Sequence, residues 1–260
     1  MVSRARAGPH QEKPSGREGR WLNRLRPRRF SAKNRPVGHR GDRLTARERE
    51  ALDRDGYLVV PALLDEPVLR PVRARLEDLV QQTIVAWDAD PDAGIAAEWV
   101  VYVGLDRADP DFAPLHQHPL VADAAAAVLG PHTYLRGLGV RAPLPGCGHQ
   151  GLHHDFEDHR TDGSWQSLSA MWCISAFTRD NGPLRVIPGS HLIGGSPVDA
   201  LPLGCESGPH PDEVKIVAPA GSLVLFNAAD IWHSGTFNYS PGPRLAVTAS
   251  FDPGPRGGMR

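Results

Sequence analysis

The chain has 260 residues, of which 40% are hydrophobic and 23% are charged, and this composition is typical of a folded globular protein. Its 29 basic and 30 acidic side chains nearly cancel in number. No apolar run approaches the roughly 18 residues that a membrane-spanning helix needs, so the sequence excludes a membrane protein.

The charges are distributed unevenly, because a basic segment occupies residues 1–43. This segment has a net charge of +10, whereas the rest of the chain carries −11. It is rich in Arg, Gly, Pro and Ser and has no apolar period, which predicts a disordered tail followed by a single domain over residues 44–260. A nucleic-acid-binding arm is the alternative. We disfavour nucleic acid as a partner, since the segment lacks regularly spaced aromatic residues and no base-reading motif follows it.

Targeting and redox features indicate a reduced, cytoplasmic protein. The twin arginine Arg28-Arg29 is followed by polar residues and not by the apolar region of an export signal. The three cysteines, Cys147, Cys173 and Cys205, are odd in number, widely spaced and without a CxxC motif. This pattern disfavours a disulfide scaffold and a structural zinc ribbon.

The chain before residue 133 is predicted to be mainly helical. Thr45-Ala-Arg-Glu48 is a capping-box pattern that opens a helix over residues 46–55, and Gly56 ends this helix. The run Tyr-Leu-Val-Val at 57–60 predicts a buried strand. Helical spacing of apolar residues and a run of alanines predict two further helices, over residues 65–87 and 118–129.

From residue 133 onward, short β-rich segments alternate with Gly/Pro turns. This texture predicts a sandwich or jelly roll and not a parallel βαβ sheet. Asn181-Gly182 predicts a hairpin turn, because both residues tolerate positive φ. The predicted fold class is therefore α+β, mainly β, with the helices preceding a β-barrel. The predicted strands cover residues 133–142, 167–177, 184–187, 214–217, 222–227, 236–239 and 245–251.

Two His-x-Asp motifs indicate where a metal could bind. On a strand, residues i and i+2 face the same side, so this motif offers an imidazole and a carboxylate to one ion. In the second motif, His210-Pro211-Asp212, the proline cannot donate to a sheet, so His153-x-Asp155 is the better candidate. A third ligand would complete the two-histidine, one-carboxylate set of non-haem Fe(II) oxygenases. Zinc suits the same residue types, so the metal stays open at this point.

Five phrases in the chain, in order, resemble the phytanoyl-CoA dioxygenase type of Fe(II)/2-oxoglutarate oxygenases, a family that also contains the ectoine hydroxylases. The resemblance covers residues 45–251. It places Arg244 eleven residues after His233, which is the spacing of the family. The phrases are Gly-Tyr-Leu-Val-Val-Pro (56–61), His-His-Asp-Phe-Glu (153–157), Asn-Gly-Pro-Leu-Arg-Val-Ile-Pro-Gly-Ser-His (181–191), Ala-Gly-Ser-Leu-Val-Leu-Phe-Asn (220–227) and Trp-His-Ser-Gly (232–235).

The resemblance implies a fold and a set of cofactors. The fold is a double-stranded β-helix, that is, a jelly-roll, cupin-like barrel, with the N-terminal helices packed on one side. His153, Asp155 and His233 would hold Fe(2+), and Arg244 would bind the distal carboxylate of the cosubstrate 2-oxoglutarate. A guanidinium suits that role, since it meets a carboxylate with two parallel hydrogen bonds where lysine would give a point charge.

Further cosubstrate contacts are implied at two positions. Ser240, four residues before Arg244, is expected to add a hydroxyl donor. Trp172 matches the position at which the family places an aromatic side chain beside the cosubstrate. A core position on a central strand is the alternative for Trp172.

Substrate contacts are expected from residues that follow the metal motif. Glu157 continues the facing of His153 and Asp155 if the strand extends through it. His159 and Trp165 lie in the next loop, where the family lines its substrate mouth. The Gly/Pro-rich segment 192–212 has the length and composition of a lid, with an idle surface loop as the alternative.

The implied activity is that of a 2-oxoglutarate-dependent dioxygenase, an oxidoreductase. It would hydroxylate an unactivated C–H of a small metabolite or natural-product intermediate, and its other partners would be 2-oxoglutarate and O2. Asp155 disfavours halogenation, because chlorinating relatives replace this carboxylate with a small residue. Ectoine is disfavoured as substrate, since the Trp that follows the metal motif in ectoine hydroxylases is missing. A zinc-dependent hydrolase on the same barrel, which would not need Arg244, and a non-catalytic binding protein that uses the basic tail are the alternatives.

Overall fold

The computed structural model describes residues 41–89, 100–101, 104–105, 107–202 and 204–254. The predicted basic tail therefore lies outside the described residues, except for residues 41–43. Among the described residues, no helix has both the length and the apolar character needed to cross a bilayer.

The first helix and strand form as the local sequence predicts. Helix α1 spans Ala46–Asp55, and the Thr45 hydroxyl accepts a hydrogen bond from the backbone N–H of Glu48 while the Glu48 carboxylate accepts one from the N–H of Thr45. The capping box is thus confirmed. Gly56 ends the helix with φ 76°, a left-handed conformation that glycine adopts without strain. Strand β1, Tyr57–Val60, follows directly.

Three further helices complete the N-terminal part. Helix α2 spans Glu66–Ala89, and its residues Leu69, Val72, Leu76 and Val80 are buried at intervals of three and four, as an amphipathic helix requires. A single-turn helix α3, Ala113–His116, precedes helix α4, Pro119–Leu129.

The strands form two antiparallel sheets. A six-stranded sheet has the order β1-β7-β4-β9-β3-β2, and a three-stranded sheet has the order β6-β5-β8. This mixed helix and antiparallel-sheet architecture confirms the predicted α+β class. The remaining strands are β2 (Val100–Val101), β3 (Thr133–Pro143), β4 (Leu168–Cys173), β5 (Leu184–Val186), β6 (Val214–Lys215), β7 (Leu223–Phe226), β8 (His233–Gly235) and β9 (Ala246–Pro253).

The two faces of the large sheet are buried against different partners. Ala170 and Trp172 of β4 belong to the hydrophobic cluster that includes the buried side chains of α1, α2 and α4. Met171 and Cys173, which alternate with them, belong to a second cluster with Val186 of the small sheet. Because β4 is buried on both faces, the space between the two sheets is lined by every second residue of the central strands.

Three sequence predictions about the strands are wrong. The predicted strand 236–239 is displaced, because β8 ends at Gly235, where its backbone pairs with β5. Asn181-Gly182 is not a hairpin turn, since β4 and β5 lie in different sheets and the chain crosses between them there. The predicted strand 167–177 ends at Cys173, after which two successive N–H groups donate to the carbonyl of Leu245. In each case long-range pairing overrides local β-propensity.

Candidate metal centre and cofactor pocket

The structure brings His153, Asp155 and His233 together from distant parts of the chain. One ligand atom of each lies within 4.8 Å of the others, and they are the one such group among the described residues. The Nε2 atoms of His153 and His233 are 3.7 Å and 3.6 Å from Oδ1 of Asp155. The carboxylate is partly exposed while His233 is buried, so an ion bound here would remain open to ligands on one side.

Backbone hydrogen bonds hold the three ligands in place. His153 and His233 exchange both of their backbone hydrogen bonds, at 3.0 Å and 2.9 Å, as an isolated antiparallel bridge. The N–H of Asp155 donates to the carbonyl of Ala228 at 2.9 Å, which ties the metal motif to the loop between β7 and β8. Two of the ligands are therefore positioned by main-chain pairing and the third by a loop that leads into β8.

Each imidazole is oriented by its second nitrogen. Nδ1 of His153 lies 2.9 Å from the carbonyl oxygen of Gly151, and Nδ1 of His233 lies 2.9 Å from that of Ile231. Because these Nδ1–H groups donate, the lone pair of each imidazole is on Nε2, the atom that faces Asp155. Burial lowers the pKa of His233 to about 4, although the Asp155 carboxylate acts to raise it. Two imidazoles and one carboxylate form a donor set that fits a divalent first-row metal.

A cavity of about 120 Å³ lies beside the three ligands, between the two sheets. Arg244 lines this cavity and is only 5% exposed. Its Nε donates to the carbonyl of Gly182 at 3.0 Å, and its guanidinium lies 4.3 Å above the ring centroid of Phe177. These contacts fix a buried cation within the same cavity as the metal ligands, which suits a dicarboxylate ligand.

A second arginine, Arg141, also lines the cavity, and sequence reasoning missed it. It lies on β3 directly opposite Ala246 of β9. The alternation of β3, with Val140 and Ala142 facing the helical core, was the signal that Arg141 points to the other side.

Trp172 does not border the cavity. It is fully buried in the core between sheet and helices, and its indole N–H donates to the carbonyl of Leu115 at 3.0 Å. Met171 lines the cavity instead. Because strand side chains alternate, a register error of one residue moves a side chain to the opposite face of the sheet. The structure thus supports the alternative for Trp172, a core position on a central strand.

Ser240 also lies away from the cavity. Its hydroxyl is 2.6 Å from Oδ1 of Asn238 and 2.9 Å from the carbonyl of Gly242, so it closes the turn that precedes Arg244. The predicted contact with the cosubstrate is thus replaced by a contact within the loop.

The predicted substrate contacts are not among the residues that line the cavity. Glu157 is exposed, because the chain leaves the extended conformation after His153 and the predicted alternation ends. Trp165 is buried in the helical core, and Nδ1 of His159 lies 3.5 Å from Oδ1 of Asp230.

Asp230 holds the loop that follows the metal motif. Its carboxylate is fully buried and accepts hydrogen bonds from the N–H of Arg160 at 2.9 Å and the side-chain amide of Gln166 at 3.3 Å. His154, which alternates with the metal ligands, packs on His159 with ring centroids 5.2 Å apart. This anchoring of the loop had no sequence signal, since an isolated Asp three residues before His233 forms no motif.

The segment 192–212 is attached by a buried arginine. Arg185 of β5 is 2% exposed and donates to Oγ of Ser234 at 2.6 Å, next to the metal ligand His233. It also pairs with Glu213 at 3.0 Å. Its other acceptors are the backbone carbonyls of Gly208 at 2.6 Å, Glu206 at 3.1 Å and Gln150 at 3.3 Å.

Comparisons with known proteins agree with this geometry. A family profile described as phytanoyl-CoA dioxygenase matches residues 52–246, three quarters of the chain. An uncharacterized protein of Mycobacterium tuberculosis is 30% identical over 78% of this chain and 73% of its own length. The ectoine dioxygenase of Bordetella parapertussis is 26% identical over 81% of this chain and 76% of its own. The structure of SnoK, a non-haem α-ketoglutarate-dependent carbocyclase from nogalamycin biosynthesis, has a TM-score of 0.63 at 19% identity, with 81% and 84% of the two chains covered.

Proposed function

The chain belongs to the phytanoyl-CoA dioxygenase family, and from this membership we propose that it is an Fe(II)- and 2-oxoglutarate-dependent oxygenase of a small molecule. The observation that carries the proposal is the convergence of His153, Asp155 and His233 beside a cavity that also contains Arg244. A double-stranded β-helix barrel is the corresponding fold, supported by the two antiparallel sheets that enclose this cavity.

The three ligands would hold Fe(II) through Nε2 of each histidine and the Asp155 carboxylate. When bound at these residues, Fe(II) and 2-oxoglutarate would supply the oxidising chemistry, with O2 as oxidant and succinate and CO2 as the products of the diacid. The Nδ1–H group of each imidazole donates to a backbone carbonyl, and this orients Nε2 toward the position where the metal would bind. Asp155 supplies the negative charge that balances part of the metal charge.

Arg244 would bind the distal carboxylate of 2-oxoglutarate, and Arg141 gives the same cavity a second cation. Burial makes the charge of Arg244 effective, because a guanidinium removed from water attracts a carboxylate more strongly than an exposed one does. Leu184, Met171 and Phe226 complete the wall with apolar surface, which excludes water from the bound cosubstrate.

The substrate would be a small metabolite or natural-product intermediate. This proposal is supported by a relative that is called an ectoine dioxygenase. Hydroxylation of an unactivated C–H is the proposed reaction, and Asp155 supports it over halogenation.

Three free cysteines fit a reduced cytoplasmic location, and the domain is proposed to span residues 44–260.

A metal-exchange assay tests this function against a zinc hydrolase, which suits the same three ligands. Purified protein is loaded with Fe(II) or with Zn(II), and succinate is measured with and without 2-oxoglutarate and O2. We expect slow basal succinate release only with Fe(II), 2-oxoglutarate and O2 together, and we expect substrate to accelerate it. Turnover of any substrate by the zinc form without 2-oxoglutarate would contradict the oxygenase.

A further inference from the structure

Three hydroxyl side chains line one part of the cavity, and we refer to Ser169, Thr248 and Ser250 as the hydroxyl face. They lie on the neighbouring central strands β4 and β9. Ser169 is directly opposite Ser250, and Thr248 occupies the next row of the same face, opposite Met171. The three hydroxyls therefore form one continuous patch.

Thr248 is the informative member of this face. The residue is only 8% exposed, and its Oγ1 is buried without a hydrogen-bond partner among the described residues. Thr236, which is equally buried, donates its hydroxyl to the carbonyl of Pro183 at 2.7 Å. An unpartnered buried hydroxyl destabilises the fold, so its presence in a cavity wall indicates a ligand that completes its hydrogen bonding.

The strand beside the hydroxyl face carries no side chains there. Gly137 of β3 is paired with Ser250, and Gly139 is paired with Thr248, on the side of β3 that carries Arg141. A Cβ added at Gly137 would meet no atom within 4 Å. Gly137 thus leaves space next to the paired Ser250, on the half-exposed side of the sheet.

The hydroxyl face is separated from the cation that is assigned to 2-oxoglutarate. Arg244 lies two residues before the start of β9, and Thr248 and Ser250 lie four and six residues further along, which corresponds to about 13 Å and about 20 Å of backbone at a strand rise of about 3.3 Å per residue. Arg141 is on the Arg244 side of this distance, opposite Ala246. The cavity wall therefore runs from an anion-binding end at the two arginines to a hydroxyl end at Thr248 and Ser250.

The charges of the cavity indicate what the hydroxyl end accepts. Asp155 is the one carboxylate among the described lining residues, and it is assigned to the metal. A cationic group on the substrate would therefore find no further counter-charge among these lining residues, and an anionic group would be drawn to the two arginines. Hydroxyls donate and accept, so they suit neutral hydroxyl or carbonyl oxygens.

We propose that the hydroxyl face is the substrate subsite and that it binds an uncharged small molecule bearing hydroxyl or carbonyl oxygens, with its bulk in the space beside Gly137. This inference rests on the proposed function, because it assigns the other end of the cavity to 2-oxoglutarate.

The first test uses two pairs of variants and needs no knowledge of the substrate. Thr248→Val and Ser169→Ala alter the hydroxyl face, whereas Thr236→Val and Ser167→Ala remove hydroxyls that donate to backbone carbonyls elsewhere. In the ligand-free protein we expect Thr248→Val to melt at the same or a higher temperature than the wild type, and Thr236→Val to melt lower. Thr248→Val could instead lower the melting temperature by as much as Thr236→Val does. That result would show that the Thr248 hydroxyl has a structural partner and would overturn the proposal.

The second test measures binding of defined probes by ligand-observed NMR to protein that holds Zn(II) and 2-oxoglutarate. The neutral probes are myo-inositol, methyl β-glucopyranoside and cyclohexane-1,2-diol, and the charged probes are ectoine, L-arginine and acetyl-CoA. We expect binding from the neutral set, weakened about tenfold by Thr248→Val, which corresponds to the loss of one hydrogen bond. Ser167→Ala should leave the dissociation constant unchanged.

The outcomes separate the subsite from the function. Binding confined to the charged probes, or a Thr248→Val variant that weakens 2-oxoglutarate and not the neutral probes, would overturn the subsite. The neutral probes could also bind in a Thr248-dependent way to a protein whose Fe(II) form releases no succinate. This result would support the assignment of the hydroxyl face as the substrate subsite and would contradict the proposed oxygenase function.

Discussion

Replacement of Arg185 by methionine should destabilise the fold and loosen the metal centre together. Arg185 is 2% exposed and its five acceptors belong to four segments of the chain, including Ser234 beside the metal ligand His233. Methionine keeps most of the volume but removes one donor from the Glu213 carboxylate and one from each of three backbone carbonyls. Because removing one partner of a buried ion pair exposes an uncompensated charge to the interior, we expect a loss of about 3–5 kcal/mol in the free energy of unfolding.

This loss is large against the roughly 5–15 kcal/mol of total stability that is usual for a domain. The assay is urea denaturation of Arg185→Met, with Arg49→Met as the matched control. Arg49 pairs with Asp123 at 2.9 Å but is 44% exposed, so its removal should change stability by about 0–1 kcal/mol. Co(II) affinity and hydrogen exchange of residues 204–213 are measured on the same samples, and we expect weaker binding and faster exchange only for Arg185→Met.

Arg185→Lys distinguishes a charge effect from a geometric one. Lysine keeps the positive charge but has three donors on one atom and cannot reach acceptors on both sides of β5. We therefore expect it to recover only part of the lost stability. An Arg185→Met protein within about 1 kcal/mol of the wild type, with unchanged Co(II) affinity, would refute the reasoning.

Three further predictions concern the cosubstrate, pH and the loop after the metal motif. Arg244→Ala should raise the dissociation constant of 2-oxoglutarate about 10- to 100-fold, measured by calorimetry on the metal-loaded protein, and Arg244→Lys should recover part of it; unchanged affinity would contradict the role of Arg244. Burial lowers the pKa of His159 and of His191. Below a pH of about 6.5, the pKa of histidine in an unfolded chain, the unfolded protein therefore binds more protons than the folded one, so the free energy of unfolding should be constant above that pH and fall below it. In the double variant His159→Gln/His191→Gln the free energy of unfolding should depend less on pH. Asp230→Ala leaves the N–H of Arg160 without its acceptor and should cost about 1–3 kcal/mol and speed proteolysis within residues 158–166, whereas an unchanged cleavage rate would show that Asp230 does not anchor this loop.

Features that depend on neighbouring residues in sequence could be predicted. The capping box at Thr45, the end of helix α1 at Gly56 and the α+β class follow from short-range patterns, and the structure confirms them. The candidate ligands were chosen from strings of residues that resemble a family, and the structure brings those three side chains together.

Features that depend on pairing between distant segments could not be predicted. The position of Trp172 depends on strand parity, which one residue of misalignment inverts, so Met171 takes the place expected for it. Arg185 is a single arginine on a β-rich segment, and no local pattern distinguishes a buried arginine from an exposed one. Its role depends on acceptors far along the chain, such as Glu213 and Gln150.

An anaerobic titration of Fe(II) and 2-oxoglutarate tests the central claim most directly. The wild type should develop a visible charge-transfer absorption that saturates at one Fe(II) and one 2-oxoglutarate per chain, because both bind in the same cavity. His233→Ala and Asp155→Ala should lose this absorption, while Ser167→Ala, whose hydroxyl donates to the carbonyl of Phe251 and does not line the cavity, should retain it. Full absorption in either ligand variant, or none in the wild type, would contradict a shared site for metal and cosubstrate.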